Sequence, residues 1–319
     1  MKDFVGISID SWMTTLKQYK GYITAVVSAC AFGFINLFSV PLLMAGYSPT
    51  LILMYRTGIS AVGLAVVMQL LKISFRIKRN DIPFLVLGAC LYFFSAWFLL
   101  LGYRYLHSGL ATAIHFSYPI FVTLILSVVF KIIPNTRTTL ALAMAIGGVL
   151  GISLCTPASD TGMDLAKGIP LILLSGLAYA IYIILLRYSR LSRFPGFRVT
   201  FYVMLANAFL FGGYSWLSSG EIVMLQGVYE WSNAILLAII PTIVSNLALV
   251  HAVQSIGSAK SSILGAIEPV TALAIGIGVF GEPIAWGQII GVLCILTSVF
   301  LVIFNTSGQT GARPVEHES

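Results

Sequence analysis

Glu268 lies ten residues beyond Ser258 in a run whose other side chains, Lys260 near its start apart, are apolar or small. At about 1.5 Å of rise per residue, a helix begun at Ser258 carries it about 15 Å in, the middle of a hydrocarbon core about 30 Å thick. An acid at that depth is costly to keep charged, and intramembrane acids are functional by default. Ser258, Ser261, Gly265 and Glu268 follow spacings of 3, 4 and 3, so they share one helix face. A small, polar face suits a cavity wall, with the carboxyl carrying a proton or meeting an ammonium group. The plainer alternative is that Glu268 caps a helix broken at Pro269.

A second group of candidates stands at matching depths. His115 and Tyr118 share the face of an earlier span, His115 about 10 Å inside. A neutral imidazole there binds substrate, passes a proton, or simply packs. Arg56 is about 10 Å in from Pro49, where it either holds a carboxylate or snorkels to the headgroups. Asn36 and Asn246 contact substrate or bond neighbouring helices. Tyr92, Trp97, Tyr179 and Tyr182 are either amphipathic cavity walls or packing and interface anchors. These residues bind and carry protons; they form no convergent catalytic cluster. GxxxxGK[ST], HExxH and GxSxG are all absent, so no P-loop ATPase or common intramembrane hydrolase signature is present. Cys30, Cys90, Cys155 and Cys294 sit in apolar runs without paired spacing, reading as packing rather than disulfide or metal. No cofactor is implied.

The elements that must position these side chains are membrane helices. Of 319 residues 58% are apolar and 9% charged, where a soluble domain carries about 25% charged. The apolar runs are long rather than alternating, which excludes a barrel. Cutting at Pro, Gly and charge clusters predicts an all-α membrane protein with ten transmembrane helices, over 21–45, 49–71, 82–104, 108–130, 136–156, 166–188, 196–217, 231–254, 258–280 and 284–304. Residues 1–20 lack a signal-peptide pattern and form either a short surface helix or a plain tail. Residues 305–319 form a polar C-terminal tail. With the N-terminus inside, fifteen of the eighteen Lys and Arg fall on the cytoplasmic side. Arg104 and Lys167 fall outside and Arg56 within a span, so both termini are expected in the cytoplasm. The basic excess therefore reports orientation and gives no reason to invoke nucleic acid.

A shift of 150 residues places Ser95 on Ser245, Ser108 on Ser258, Pro119 on Pro269 and Phe130 on Phe280. Nearer the start a shift of 147 places Gly21 on Gly168, Ser28 on Ser175 and Tyr55 on Tyr202. The repeats run over 21–156 and 166–304. Five spans per repeat is odd, so the second copy enters the membrane from the opposite side. Inverted repeats with Pro-bearing helices are a transporter architecture, with the binding site near the midplane.

The stretch Ile256-Gly257-Ser258-Ala259-Lys260 through Glu268-Pro269-Val270 to Gly281-Glu282-Pro283 and Gln288-Ile289-Ile290-Gly291 resembles the EamA-type repeat of the drug/metabolite transporter superfamily. Tyr55-Arg56 and Ala113-Ile114-His115-Phe116-Ser117-Tyr118-Pro119 resemble its other copy. The resemblance implies two inverted five-helix repeats with spans three, four, eight and nine lining a central cavity. Its relatives move amino acids, purines, vitamins, drugs and other metabolites, most often outward. One departure is that copy two has Glu282 after span nine where copy one has Lys131. The expected function is proton-linked export of a small polar or amphipathic metabolite across the inner membrane, with amino acids leading because Glu268 suits an ammonium and Arg56 a carboxylate. The alternatives are uptake on the same fold, or a multi-pass enzyme or scaffold. Expected partners are the substrate, membrane lipid and, through the small-residue stretches Ala145–Gly148 and Gly287–Gly291, either a second copy or neighbouring helices of the same chain.

Overall fold

The computed structural model describes residues 9–102, 104–106, 111, 114–154, 164–219, 222–281 and 285–303. The described residues are helical with short connections and no strands. Helices α1 (Ile9–Gly33) and α2 (Ile35–Met44) form span one, α3 (Pro49–Leu70) span two and α4 (Ile82–Gly102) span three. Span four resumes after a turn at Phe116–Ser117 as α5 (Tyr118–Val129), and α6 (Thr136–Leu154) is span five. The second repeat begins with α7 (Leu165–Tyr188) and α8 (Gly196–Ser219). Its span eight joins α9 (Val228–Ala238) to α10 (Ser245–Ile256) through a π-helical turn, Ile239–Val244. Span nine is α11 (Ser258–Leu264) and α12 (Ile267–Phe280), and α13 (Trp286–Ile303) is span ten. Among the described residues, seven segments are long and apolar enough to cross a membrane by themselves, with Tyr118–Val129 and Thr136–Ile152 shorter apolar helices.

The first span differs from expectation at both ends. Its helix starts at Ile9 and runs through Gly21 without interruption, so the residues before Gly21 neither lie apart as a surface helix nor form a plain tail from Ile9 onward. Gly21 acts there as a point of close approach, since a Cβ would stand 2.6 Å from Ile256 Cγ2. The helix then breaks at Phe34 instead of running to 45. Gly33, just before the break, lies against span nine, where a Cβ would meet Thr271 Cβ at 2.5 Å.

The repeats interlock rather than standing side by side. Span one packs on span eight, and span three on span six; spans two and seven pair, as do four and nine, and five and ten. A pseudo-two-fold relating the halves generates this pattern, and individual contacts repeat under it. The Ser28 hydroxyl donates to the Ser245 carbonyl at 2.9 Å, and its counterpart Ser175 donates to the Ser95 carbonyl at 2.6 Å. Gly21 lies against Ile256 as Gly168 lies against Leu106. Tyr55 donates to the Val223 carbonyl and Tyr202 to that of Phe75, each reaching the loop beyond the partner repeat's second span. The small-residue stretches in spans five and ten meet within one chain: a Cβ on Gly148 would lie 2.6 Å from the Gly291 carbonyl oxygen, and the converse holds.

Side chains fill the bundle most densely toward the basic end, where Leu64, Met68, Ile183, Leu186 and Met204 are fully buried. Polar ties between repeats lie there as well. Lys260 donates to the Tyr22 hydroxyl at 3.0 Å, and Arg190 faces Asp81 at 3.7 Å. Two smaller clusters occupy the opposite end, one around Phe38, Leu42 and Leu237 and one around Leu106, Ala111 and Ile172.

Candidate functional site

Spans four and nine are each broken one turn before or beside the residue of interest. A proline removes one backbone donor and crowds the preceding turn, so the helix restarts there. Span four restarts at Tyr118-Pro119, and span nine turns at Gly265–Ala266 before restarting with Glu268 in its first turn. Tyr118 and Glu268 thus occupy the N-terminal turns of two half-helices. A first-turn acid is favoured by the helix dipole, and such half-helix ends build midplane sites in inverted-repeat transporters.

Around these breaks the rings cluster. His115 lies 5.9 Å from the Tyr118 ring and 5.8 Å from that of Tyr179. Tyr118 and Tyr179 meet edge to face at 4.9 Å, and Tyr182 continues the series to Tyr179 at 6.2 Å and Tyr92 at 5.6 Å. Tyr92, Tyr118 and Tyr182 are buried, whereas His115, Tyr179 and Glu268 are only half-buried although they lie within the bundle. Those three side chains therefore keep part of their surface uncovered. Among the described residues, no Lys or Arg nitrogen lies within 4 Å of the Glu268 carboxyl.

The orientation of His115 follows from its partner. Ser175 has one hydroxyl proton and spends it on the Ser95 carbonyl, so toward His115 Nδ1, 2.9 Å away, it accepts. Nδ1 then carries the proton, and Nε2 of the neutral ring is left as an acceptor. Tyr118 donates to the Ser262 carbonyl at 3.2 Å, its hydroxyl filling the notch at Gly265 where a Cβ would lie 2.1 Å away.

Other candidates are placed differently. Arg56 does not snorkel: it is only 7% exposed, and it donates through Nε to the Thr242 hydroxyl at 2.6 Å and through Nη2 to the Pro241 carbonyl at 3.1 Å. Asn36 is exposed in the first turn of α2, so it is not a buried tie between helices. Asn246 is fully buried, donating within its own span to the Thr242 carbonyl, with its side-chain oxygen unpartnered. Trp97 belongs to another aromatic group, stacked on Phe93 at 6.2 Å and edge to face with Tyr214 at 5.7 Å. It is two residues from Ser95, hence on the far side of α4 from the Ser175 contact. Glu282 and Ser108 lie outside the described residues. Ser175, Ser262 and Thr242 are the partners a reading of the sequence did not single out. The signal for Ser175 was its match to Ser28 in the repeat; for Thr242 it was Pro241 inside an apolar span.

The profile of the EamA-like transporter family matches residues 19–154 and again 166–304, one match for each repeat. The chain belongs to that family. It is 31% identical over 169 residues to an "uncharacterized transporter" of Archaeoglobus fulgidus, an alignment covering 52% of this chain. The chain spans 57% of that relative's length. A protein of known crystal structure shares the fold, with a TM-score of 0.75 at 14% identity over 91% of this chain and 98% of its own. Within the family architecture the polar groups just described sit where the two five-helix repeats meet.

Proposed function

We propose that this EamA-family protein is a secondary transporter that exports a small polar or amphipathic metabolite by alternating access, with Glu268 carrying the coupled proton. The observation that supports this most is a half-buried carboxyl at mid-span with no Lys or Arg nitrogen within 4 Å among the described residues, beside the half-buried His115 and Tyr179. A carboxyl in that setting exchanges a proton with whichever side the cavity faces. When it is charged it suits the amino group of an amino acid or related compound, with Tyr179 and the free Nε2 of His115 completing a small, acceptor-rich wall. Loop charge supports an inner-membrane orientation with both termini in the cytoplasm. One proton crossing about 100 mV supplies about 2.3 kcal/mol, enough for about a 40-fold gradient.

Counterflow of a metabolite panel into proteoliposomes identifies the substrate. The decisive comparison is then Glu268→Gln, which keeps shape and hydrogen bonding but carries no proton. It is expected to lose transport driven by a pH gradient while retaining exchange without one. Gradient-driven transport at the wild-type rate in the Gln variant would overturn the proton-carrying role.

A further inference from the structure

The connection between spans two and three is an extended arm whose side chains alternate. Ile73, Phe75 and Ile77 are half-buried against the bundle, whereas Ser74, Arg76 and Lys78 are exposed. Successive side chains of an extended chain point opposite ways, so the apolar set that fastens the arm turns the basic set outward. The fastening comes from the other repeat. The Tyr202 hydroxyl donates to the Phe75 carbonyl at 2.7 Å, and the Phe75 ring meets that of Phe201 edge to face at 5.4 Å. The connection between spans six and seven closes against the same arm. Its 3₁₀ turn, Arg190–Arg193, buries Leu191 and leaves both arginines exposed, with Arg190 facing Asp81 at 3.7 Å.

Both halves of the chain thus build one surface, on which Lys72, Arg76, Lys78, Arg79, Arg190 and Arg193 are exposed. The single acid of the two connections, Asp81, is buried beside Arg190. Among the described residues, the other five cations have no carboxylate within 4 Å. Orientation on insertion depends on how many Lys and Arg a loop holds, whatever direction they take in the folded protein. Folding does more here, turning the cations outward and the acid inward. The scaffold does not demand it: at the opposite end Tyr55 holds Val223 as Tyr202 holds Phe75, yet residues 222–226 carry no charge. The height of the surface points to its partner. Leu70 and Leu71, just before Lys72, and Ile82, just after Asp81, are exposed apolar side chains at the ends of their spans. The cations therefore stand where the lipid-facing surface of the bundle ends, level with headgroup phosphates, and not beyond them in water where a soluble acidic partner would dock. We propose that this surface binds the headgroups of acidic phospholipids, their phosphates pairing with the outward cations of the arm and the 3₁₀ turn. Each such cation beside an acidic leaflet is worth about fivefold in binding, so two engaged cations suffice for a clear preference over a zwitterionic lipid. The proposal is independent of what is transported and of the role of Glu268.

The test offers the full-length protein, in a neutral detergent, an equimolar mixture of phosphatidylglycerol and phosphatidylcholine, and counts the retained lipids by native mass spectrometry. The wild type is expected to retain phosphatidylglycerol over phosphatidylcholine by about tenfold. The variant Arg76→Gln/Lys78→Gln/Arg79→Gln, which alters only exposed side chains, is expected to bring that ratio down to about twofold or less. Ser74→Glu sets an acid among the cations while removing none, and should lower the ratio about fivefold; it decides the matter should the triple variant fail to fold. Lys131→Gln/Arg137→Gln removes two exposed cations from the connection between spans four and five, at the same end of the bundle, and should leave the ratio unchanged. Equal ratios in the wild type and the triple variant overturn the proposal. So does an equal loss in the Lys131/Arg137 variant, because total charge at that end and not this surface would then govern binding. Capture of fluorescent polyglutamate that phosphatidylglycerol does not displace would assign the surface to an acidic protein segment, and likewise refutes it.

Discussion

Replacing Gly265 by alanine tests the joint between the two halves of the site. The backbone there has φ −54° and ψ −21°, a conformation open to alanine, so any cost comes from the methyl group alone. That methyl would stand 2.1 Å from the Tyr118 hydroxyl, with the ring carbon bearing it at 3.4 Å. Tyr118 cannot swing away freely, because its ring is buried and wedged against Phe116 at 5.1 Å and Tyr179 at 4.9 Å. Overpacking of this kind costs about 1–3 kcal/mol, and loss of the Tyr118 to Ser262 hydrogen bond about 1 kcal/mol more, so Gly265→Ala should destabilise by about 2–4 kcal/mol. Tyr118→Phe removes the clashing oxygen and leaves the ring carbon at 3.4 Å and the Ser262 carbonyl oxygen at 3.0 Å, both present in either background. Gly265→Ala should therefore cost about 1–3 kcal/mol less there, which is the coupling the cycle reads. Reversible unfolding of the four proteins in mild detergent measures the cycle. Equal costs of Gly265→Ala with and without the hydroxyl would refute the claim that Gly265 is there to receive Tyr118.

Ser175→Ala and Ser28→Ala remove hydrogen bonds related by the pseudo-two-fold, yet only the first strips His115 of its partner. Ser28→Ala should cost about 1 kcal/mol and Ser175→Ala about 1–3 kcal/mol, with substrate affinity falling only in the latter; equal effects on affinity would mean that His115 plays no part in binding. Single cysteines at the exposed positions Arg79 and Arg193 should be labelled only from the cytoplasm, and those at Met44 and Met224 only from outside. Labelling of Arg193 and Met224 from the same side would end the inverted arrangement.

The repeat was legible because it is written in residue identities. The shifts that set Ser28 on Ser175 and Ser95 on Ser245 identify four serines that form two equivalent hydroxyl-to-carbonyl bonds. Those that set Gly21 on Gly168 identify two equivalent close approaches. Depth along a span could be counted from the rise per residue, and that count singled out Glu268, His115 and Arg56 as candidates. Direction around the helix axis was not. Trp97 and Tyr92 share span three and similar chemistry, but only the neighbours decide that one joins Tyr182 and the other Tyr214. The break at Phe34 was not legible either; it follows Gly33, whose near neighbours Thr271 and the Glu268 carbonyl belong to span nine. The partners of Arg56 were hidden because they lie far off in the chain: the Pro241 carbonyl is 185 residues away and the Thr242 hydroxyl 186.

The scaffold obeys the pseudo-two-fold and the chemistry does not. His115 faces the second repeat where its counterpart is Gly265; Tyr118 has Glu268 as its counterpart, and Arg56 has Val203. Yet the polar groups of the site share one property, which is that each is held by the opposite repeat. His115 is bonded to Ser175, Tyr118 to Ser262, and Arg56 to Thr242 and Pro241. Glu268 is the exception: among the described residues no Lys or Arg nitrogen lies within 4 Å of its carboxyl. If one half rocks against the other, these are the contacts that must shift, because contacts within a repeat move with it. Recognition and motion therefore draw on the same hydrogen bonds. A ligand that replaces one of them alters the balance between the two arrangements by the difference in its contacts with each, which is the physical condition for a bound substrate or proton to change which side the site faces.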